Sequence, residues 1–166
     1  MKHTISVLVE NHFGVLARVS GLFGARGFNI DSLAVGETED PTISRMTIVV
    51  EGDERTLEQV KKQLNRLIDV IKVQDIVSED LLEREVVLAR VGFTHKNRAD
   101  ILEAVNAFQG KVIDASQNTL TIEVAGDQAK IHSVFELLKP YGVLEVVRSG
   151  RIALSRKGRL AVGKKD

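Results

Sequence analysis

The sequence predicts an α+β protein built from two consecutive βαββαβ sandwiches. Three observations carry this prediction. Apolar residues alternate with period two in some segments and recur at spacings of three and four in others. These segments follow in the order strand, helix, strand, strand, helix, strand. The order then occurs a second time, so the 166 residues divide into two units of roughly 80, each small enough for packing against a partner to help it.

Ile5, Val7 and Val9 alternate with Ser6, Leu8 and Glu10, as in a strand with one well-buried face. Val15, Leu16, Val19, Leu22 and Phe23 then form a helical stripe, which Gly27 stops in the left-handed position after the helix. Phe28 to Gly36 and Ser44 to Glu51 read as strands joined by the polar turn Glu37-Thr38-Glu39-Asp40-Pro41. Asp53 is placed to cap a second helix carrying Leu57, Val60, Leu64 and Leu67. Val70 to Ile76 is a further strand. Ser78 to Arg84 has no period and reads as a linker. In the second unit, Glu85 to Val91 is a strand and Arg98 to Phe108 a helix ended by Gly110. Lys111 to Ala115 and Thr119 to Ala125 form a hairpin, Asp127 caps a helix with Ile131, Phe135 and Leu138, and Val143 to Val147 closes the unit. The expected division is 1–77, a linker at 78–84, a second unit at 85–150 and a basic tail at 151–166.

A four-stranded sheet with two helices on one face, the ferredoxin-like sandwich, satisfies each half. Right-handed crossovers place the first and third strands of each unit at the centre. Ile48-Val49-Val50 is apolar toward both faces, so pairing with another copy of the chain is expected, most simply as a homodimer.

Composition narrows the function. The 23 basic and 23 acidic residues cancel, so no global field draws the chain to nucleic acid or membrane. With no cysteine, disulfides, thiolate metal sites and a cysteine nucleophile are excluded. Met1-Lys2-His3-Thr4 leads straight into the first strand, so no signal peptide is expected, and no apolar run approaches the roughly 18 residues of a membrane span. The expected setting is the cytoplasm. His3, His12, His95 and His132 show no metal-ligand spacing. Gly21, Gly24 and Gly27 lack the lysine and turn of a phosphate loop; Gly21 and Gly24 suggest close helix packing. Asp31, Glu37, Glu39 and Asp40 lie on an exposed strand and turn, where charges are usually solvated. No acid, base, nucleophile or metal constellation of an enzyme is visible.

The chemistry that remains lies between the first strand and first helix, at Asn11-His12-Phe13-Gly14-Val15-Leu16. Unpaired N–H groups at a helix start favour a carboxylate, and Gly14 lets a ligand approach the backbone. The Asn11 carbonyl suits a ligand ammonium, while Asn29 offers a polar group at the next strand. The same residues also fit a bland reading, with Asn11 capping the helix and Gly14 permitting a turn.

The Asn-x-x-Gly-Val-Leu turn, the Arg26-Gly27-Phe28-Asn29-Ile30 segment and the Asp40-Pro41-Thr42-x-Ser44-Arg45-Met46-Thr47 hairpin resemble the ACT domain of the acetolactate (acetohydroxyacid) synthase small subunit. The likeness continues through Glu58-Gln59, Lys62-Gln63-Leu64, Arg84-Glu85, Ile113-Asp114 and Arg148-Ser149-Gly150. It implies a non-catalytic regulatory subunit that activates a thiamin-dependent catalytic subunit and confers feedback inhibition by valine or another branched-chain amino acid. Thiamin diphosphate, magnesium and FAD are then the partner's cofactors, with none in this chain. Carried over by position, Asn11, Gly14, Val15 and Leu16 bind the effector from one protomer and Asn29 and Ile30 from the other. Many such turns carry proline where this chain has Phe13.

The repeat gives a check. At an offset of 83, set by Gly27-x-x-Ile30-Asp31 and Gly110-x-x-Ile113-Asp114, Gly14 falls on Asn97 and Asn29 on Val112. The second unit therefore lacks the polar ligand groups and is left for contact with the partner. The tail residues Arg148, Arg151, Arg156, Lys157, Arg159, Lys164 and Lys165 suit an acidic patch on that partner. A stand-alone ACT-type transcription regulator is the alternative, though no helix-turn-helix accompanies the basic stretch.

Overall fold

A computed structural model describes residues 1–157. The first unit contains β1 (Lys2–Glu10), α1 (Val15–Ala25), β2 (Ile30–Glu37), β3 (Ile43–Glu51), α2 (Glu54–Leu64) and β4 (Val70–Ile76). Its antiparallel sheet has the order β2-β3-β1-β4, with the first and third strands inside as the βαββαβ pattern requires. Ile5, Val7 and Val9 from β1 and Met46, Ile48 and Val50 from β3 meet Val19 and Phe23 of α1 and Leu57, Val60 and Leu64 of α2. The period-two and period-3.6 stripes read from the sequence are the two halves of this core.

Helix ends explain where the elements stop. Asp53 Oδ1 accepts the Thr56 N–H at 2.7 Å at the start of α2, where a carboxylate also meets the positive end of the helix. At the end of α1, Gly27 has φ +69°. The Gly27 N–H donates to Gly24 O at 3.1 Å and the Phe28 N–H to Phe23 O at 3.0 Å, completing a Schellman motif. The Phe23 and Phe28 rings meet edge to face with centroids 6.5 Å apart, so the motif closes over its own hydrophobic contact.

The second unit contains β5 (Leu81–Gly92), α3 (Arg98–Ala107), β6 (Lys111–Ala115), β7 (Thr119–Gly126), α4 (Gln128–Leu138) and β8 (Val143–Arg148). Its strand path β6-β7-β5-β8 repeats the first topology, around Val87, Val91, Ile101, Leu120, Ile122 and Ile131. Asp127 caps α4 through the Lys130 N–H at 2.8 Å.

Three expectations need correcting. The end of α3 does not turn on Gly110: Gln109 takes the left-handed conformation, with φ 55°. Gly110 is required for a different reason, since a Cβ there would stand 2.9 Å from Val105 Cγ1 and 3.1 Å from Val105 O. The segment 78–84 is not irregular throughout, because Ser78–Asp80 is a 3₁₀ turn and Leu81 already belongs to β5. Residues 151–157 are not a free tail. They begin β9 (Ile152–Ser155) and group with Met1–Leu82, whereas Glu83–Gly150 forms the other unit. The Arg151 N–H donates to Ser32 Oγ at 2.9 Å. Asp80 holds the far end, accepting the Arg156 N–H on its carbonyl at 2.8 Å and the Lys157 N–H on its carboxylate at 3.0 Å. Apolar Ile152, Ala153 and Leu154 between the basic residues supply the strand. Arg159, Lys164 and Lys165 lie outside the described residues. β9 lies against β1.

Gly21 and Gly24 also depart from expectation: both are exposed, and a Cβ added at either would meet nothing within 4 Å. Close packing is not their reason. Replacing Gly21 with alanine in mid-helix should raise stability by about 1 kcal/mol, since only the unfolded chain's extra freedom is lost. Urea denaturation of the G21A chain measures this; an unchanged or lower midpoint means that the α1 face is used by a contact outside the chain.

Candidate functional site

The β1–α1 turn is built from both ends. The Asn11 N–H donates to Thr42 O at 2.7 Å, and its Nδ2 donates to Pro41 O at 2.9 Å and Glu37 Oε1 at 3.2 Å. Both side-chain partners only accept, which fixes the amide orientation and turns Oδ1 away from them. Asn11 is therefore not the helix cap; it clamps the end of β1 to the β2–β3 hairpin. That hairpin is shaped by Asp40, whose Oδ1 accepts the Thr42 N–H at 2.9 Å and the Thr42 hydroxyl at 2.6 Å. These bonds hold the Asp40 carboxyl below the usual range. The Asp-Pro-Thr hairpin and the Asn turn thus form one structure.

Gly14 is the N-cap of α1, at φ +85°, and no side chain caps the helix. Its left-handed backbone suits glycine. The Val15 N–H reaches only His12 O, at 3.5 Å, and the first turn carries no acidic residue. The helix start thus keeps its positive partial charge for another anion. Val15 is 4% exposed and belongs to the core, so it can offer a ligand only its backbone. Leu16 is 46% exposed and offers an apolar side chain.

Asn29 and Ile30 are not brought to this turn. Val50 pairs with both His3 and Ile30, while Ile43 pairs with Glu10. The two groups stand at opposite ends of the sheet, seven positions apart along β3, or about 24 Å. Asn29 Nδ2 donates to Asp31 at 3.0 Å, and Ile30 packs partly against the core. Asp31 in turn pairs with Lys2 at 2.8 Å, so Asp31, Glu37 and Asp40 each have a structural partner rather than an acid–base arrangement.

The sequence reading missed Arg18 and Asp69. Arg18 Nε donates to Asp69 Oδ2 at 2.6 Å, and His12 Nε2 lies 2.9 Å from Asp69 Oδ1 and 3.3 Å from Glu10 Oε2. The Asp69 side chain is 6% exposed. Its signal in the sequence was a lone acid inside Leu67-Ile68-Asp69-Val70-Ile71, which demands a partner when buried. Glu10, His12 and Asp69 bring metal-ligating atoms within 4.8 Å of one another, a cluster that histidine spacing does not reveal. Arg18 and His12 already occupy both Asp69 oxygens, so the arrangement is that of an ion-pair network. The Arg18 guanidinium holds the Asp69 carboxyl below its ordinary range, against the effect of burial and with help from His12.

Residues 5–72 match the family model described as "AHAS small subunit-like ACT domain", and residues 84–157 match "Small subunit of acetolactate synthase". The chain belongs to the acetolactate synthase small-subunit family. The Mycobacterium leprae acetolactate synthase small subunit is 52% identical, over 95% of this chain and 93% of its own. The Aquifex aeolicus acetolactate synthase small subunit is 49% identical, over 94% and 82% respectively. The crystal structure of the Thermotoga maritima small subunit superposes with a TM-score of 0.87 at 40% identity, covering 96% of this chain and 99% of that one. The likeness spans both units, as family membership requires. No helix of the described residues is long and apolar enough to cross a membrane.

The depressed Asp69 pKa makes the turn acid-sensitive. Its ionised form is favoured in the folded state, so the contribution is present above the unfolded value of about 4 and is lost as pH falls through the lower folded value. Stability of the native chain should decline on acidification below about pH 4 more steeply than that of Asp69→Asn, as read from thermal melts across pH. Identical acid dependence in the two chains would remove Asp69 from this role.

Proposed function

We propose that this chain is the regulatory subunit of an acetolactate synthase. In this reading it activates a thiamin-dependent catalytic subunit and makes it sensitive to valine or another branched-chain amino acid. The observation that carries the reading is the uncapped, acid-free start of α1 at Gly14, beside the clamped Asn11, within a chain of this family. An α-amino acid matches the turn in kind: its carboxylate suits the helix-start amides, its ammonium the Asn11 Oδ1, and its apolar side chain Leu16. Thiamin diphosphate, magnesium and FAD are assigned to the catalytic partner, the assembled enzyme being a transferase. The setting of such biosynthesis is the cytoplasm.

A homodimer completes the site. β2 is an edge strand, and Asn11 bonds Glu37 at its C-terminal end. Antiparallel pairing of two β2 strands about a twofold axis sets Ile30 of one copy opposite Glu37 of the other. This geometry supports joining Asn29 and Ile30 of one protomer to Asn11, Gly14, Val15 and Leu16 of its partner, across the distance that one chain cannot close. Effector binding then stabilises one arrangement of the dimer, and a differential affinity typical of allosteric coupling, about 1–3 kcal/mol, shifts the catalytic subunit toward a less active state. The basic residues near the C-terminus suit an acidic patch on the catalytic subunit. A DNA-binding role has no matching observation among the described residues.

Two measurements test the proposal. Titration calorimetry of the full chain with valine, leucine and isoleucine should give binding heat for at least one; silence at millimolar concentration of all three counts against sensing. In the reconstituted complex, Gly14→Asp should abolish inhibition while the two subunits still co-purify, because it puts a carboxylate where the effector's should dock. Inhibition that persists unchanged would move the site elsewhere.

A further inference from the structure

Arg18 has no part in the effector contacts derived so far, yet its guanidinium lies beside them. It occupies the fourth position of α1, and helical side chains lean toward the N-terminus, which returns the charged group to the level of Gly14. Arg18 Nη1 lies 3.4 Å from the point where a Gly14 Cβ would stand. Asp69, on the connection between α2 and β4, takes Nε at 2.6 Å. The second Asp69 oxygen is engaged by His12, so both carboxylate oxygens are held. Among the described residues, the bond from Nε is the only side-chain hydrogen bond or ion pair that Arg18 makes. Its side chain is 47% exposed.

This is a guanidinium anchored on one edge and open on another. Its planar fork matches a carboxylate. The anchor removes much of the rotamer freedom that a ligand would otherwise have to freeze. The open edge lies next to the turn whose amides and glycine already favour an anion. Glu10, on the other side of His12 at 3.3 Å, opposes an anion, but it is 57% exposed and its field is screened by solvent.

We propose that Arg18, held in place by Asp69, binds the carboxylate of the amino-acid effector together with the backbone amides that follow Gly14. The inference rests on the effector reading given above. It assigns Arg18 as a contact residue and Asp69 as the residue that positions it.

The test is calorimetry on the full chain with two probes, valine and valinamide, which differ in the carboxylate. Hydrogen bonds to a charged group are strong enough that Arg18→Gln should weaken valine by about tenfold or more. Valinamide should lose clearly less than valine, because its neutral amide gives Arg18 a hydrogen-bond acceptor but no opposite charge. Arg18→Lys should keep part of the preference for valine, and it decides the matter if the glutamine variant does not fold. Asp69→Asn should reduce the same preference by freeing the guanidinium. An unchanged affinity for valine in Arg18→Gln, or equal losses for both probes, overturns the assignment and leaves the effector site standing. Where leucine or isoleucine is the amino acid that binds, it and its amide replace the two probes; a native chain that binds none of the three amino acids overturns the effector reading, and this inference with it.

Discussion

The bonds that Asn11 makes to the β2–β3 hairpin set the geometry of everything around the turn. By tying the end of β1 to Thr42 O and Pro41 O, they fix where the chain leaves the sheet. Three residues later it must reverse into α1, and Gly14 does so with a left-handed backbone. The Asn11 Nδ2 is tied to the hairpin, Gly14 at the cap position has no side chain, and no side chain caps the helix. A side-chain cap typically contributes about 0.5–2 kcal/mol. The helix start forgoes that contribution and keeps its amides open.

The buried Asp69 is the counterpart on the other side of the turn. An unpaired carboxylate at that depth would be strongly destabilising, so it enforces the positions of Arg18 and His12. One residue on the α2–β4 connection thereby fixes side chains on α1 and on the loop before it. The turn is held by the hairpin on one side and by this ion-pair network on the other, which keeps an uncapped segment ordered.

Much of the fold was legible because it is written in short-range periodicity. The core stripes, the caps at Asp53 and Asp127 and the stop at Gly27 each depend on residues within one or two turns. What escaped depends on contacts distant in sequence. The pairing of Asp69 with Arg18 spans α2, and the anchoring of β9 by Asp80 spans the whole second unit. The composition of 151–157 pointed to a basic tail, yet three apolar residues among the basic ones suffice when a strand partner exists. The site residues Asn11 and Gly14 were visible from local turn chemistry, but the separation of Asn29 from them follows only from sheet register.

Register also corrects the comparison between the repeats, and the correction strengthens its lesson. The bulge in β2 falls between Ile30 and Ser32 and that in β6 between Val112 and Asp114, which sets the offset at 82 rather than 83. Gly27 then matches Gln109, the two residues with left-handed backbones at the helix ends. Asn11 falls on Phe93, whose N–H makes the equivalent bond, to Asn118 O, and Asn29 falls on Lys111. The second turn retains the backbone bond to its hairpin but not the side-chain clamp. It begins its helix from Asn97, at an ordinary φ of −108°, with Asn97 Oδ1 accepting the Thr94 N–H at 2.7 Å. Neither helix has a side-chain cap, but the first amide of α3 bonds Thr94 O at 3.1 Å and its first turn carries Asp100, whereas that of α1 carries no acid. The side chains of the turns differ too: the second turn closes on itself, and the first has given up its closing group and gathered an oriented amide and an anchored guanidinium in its place.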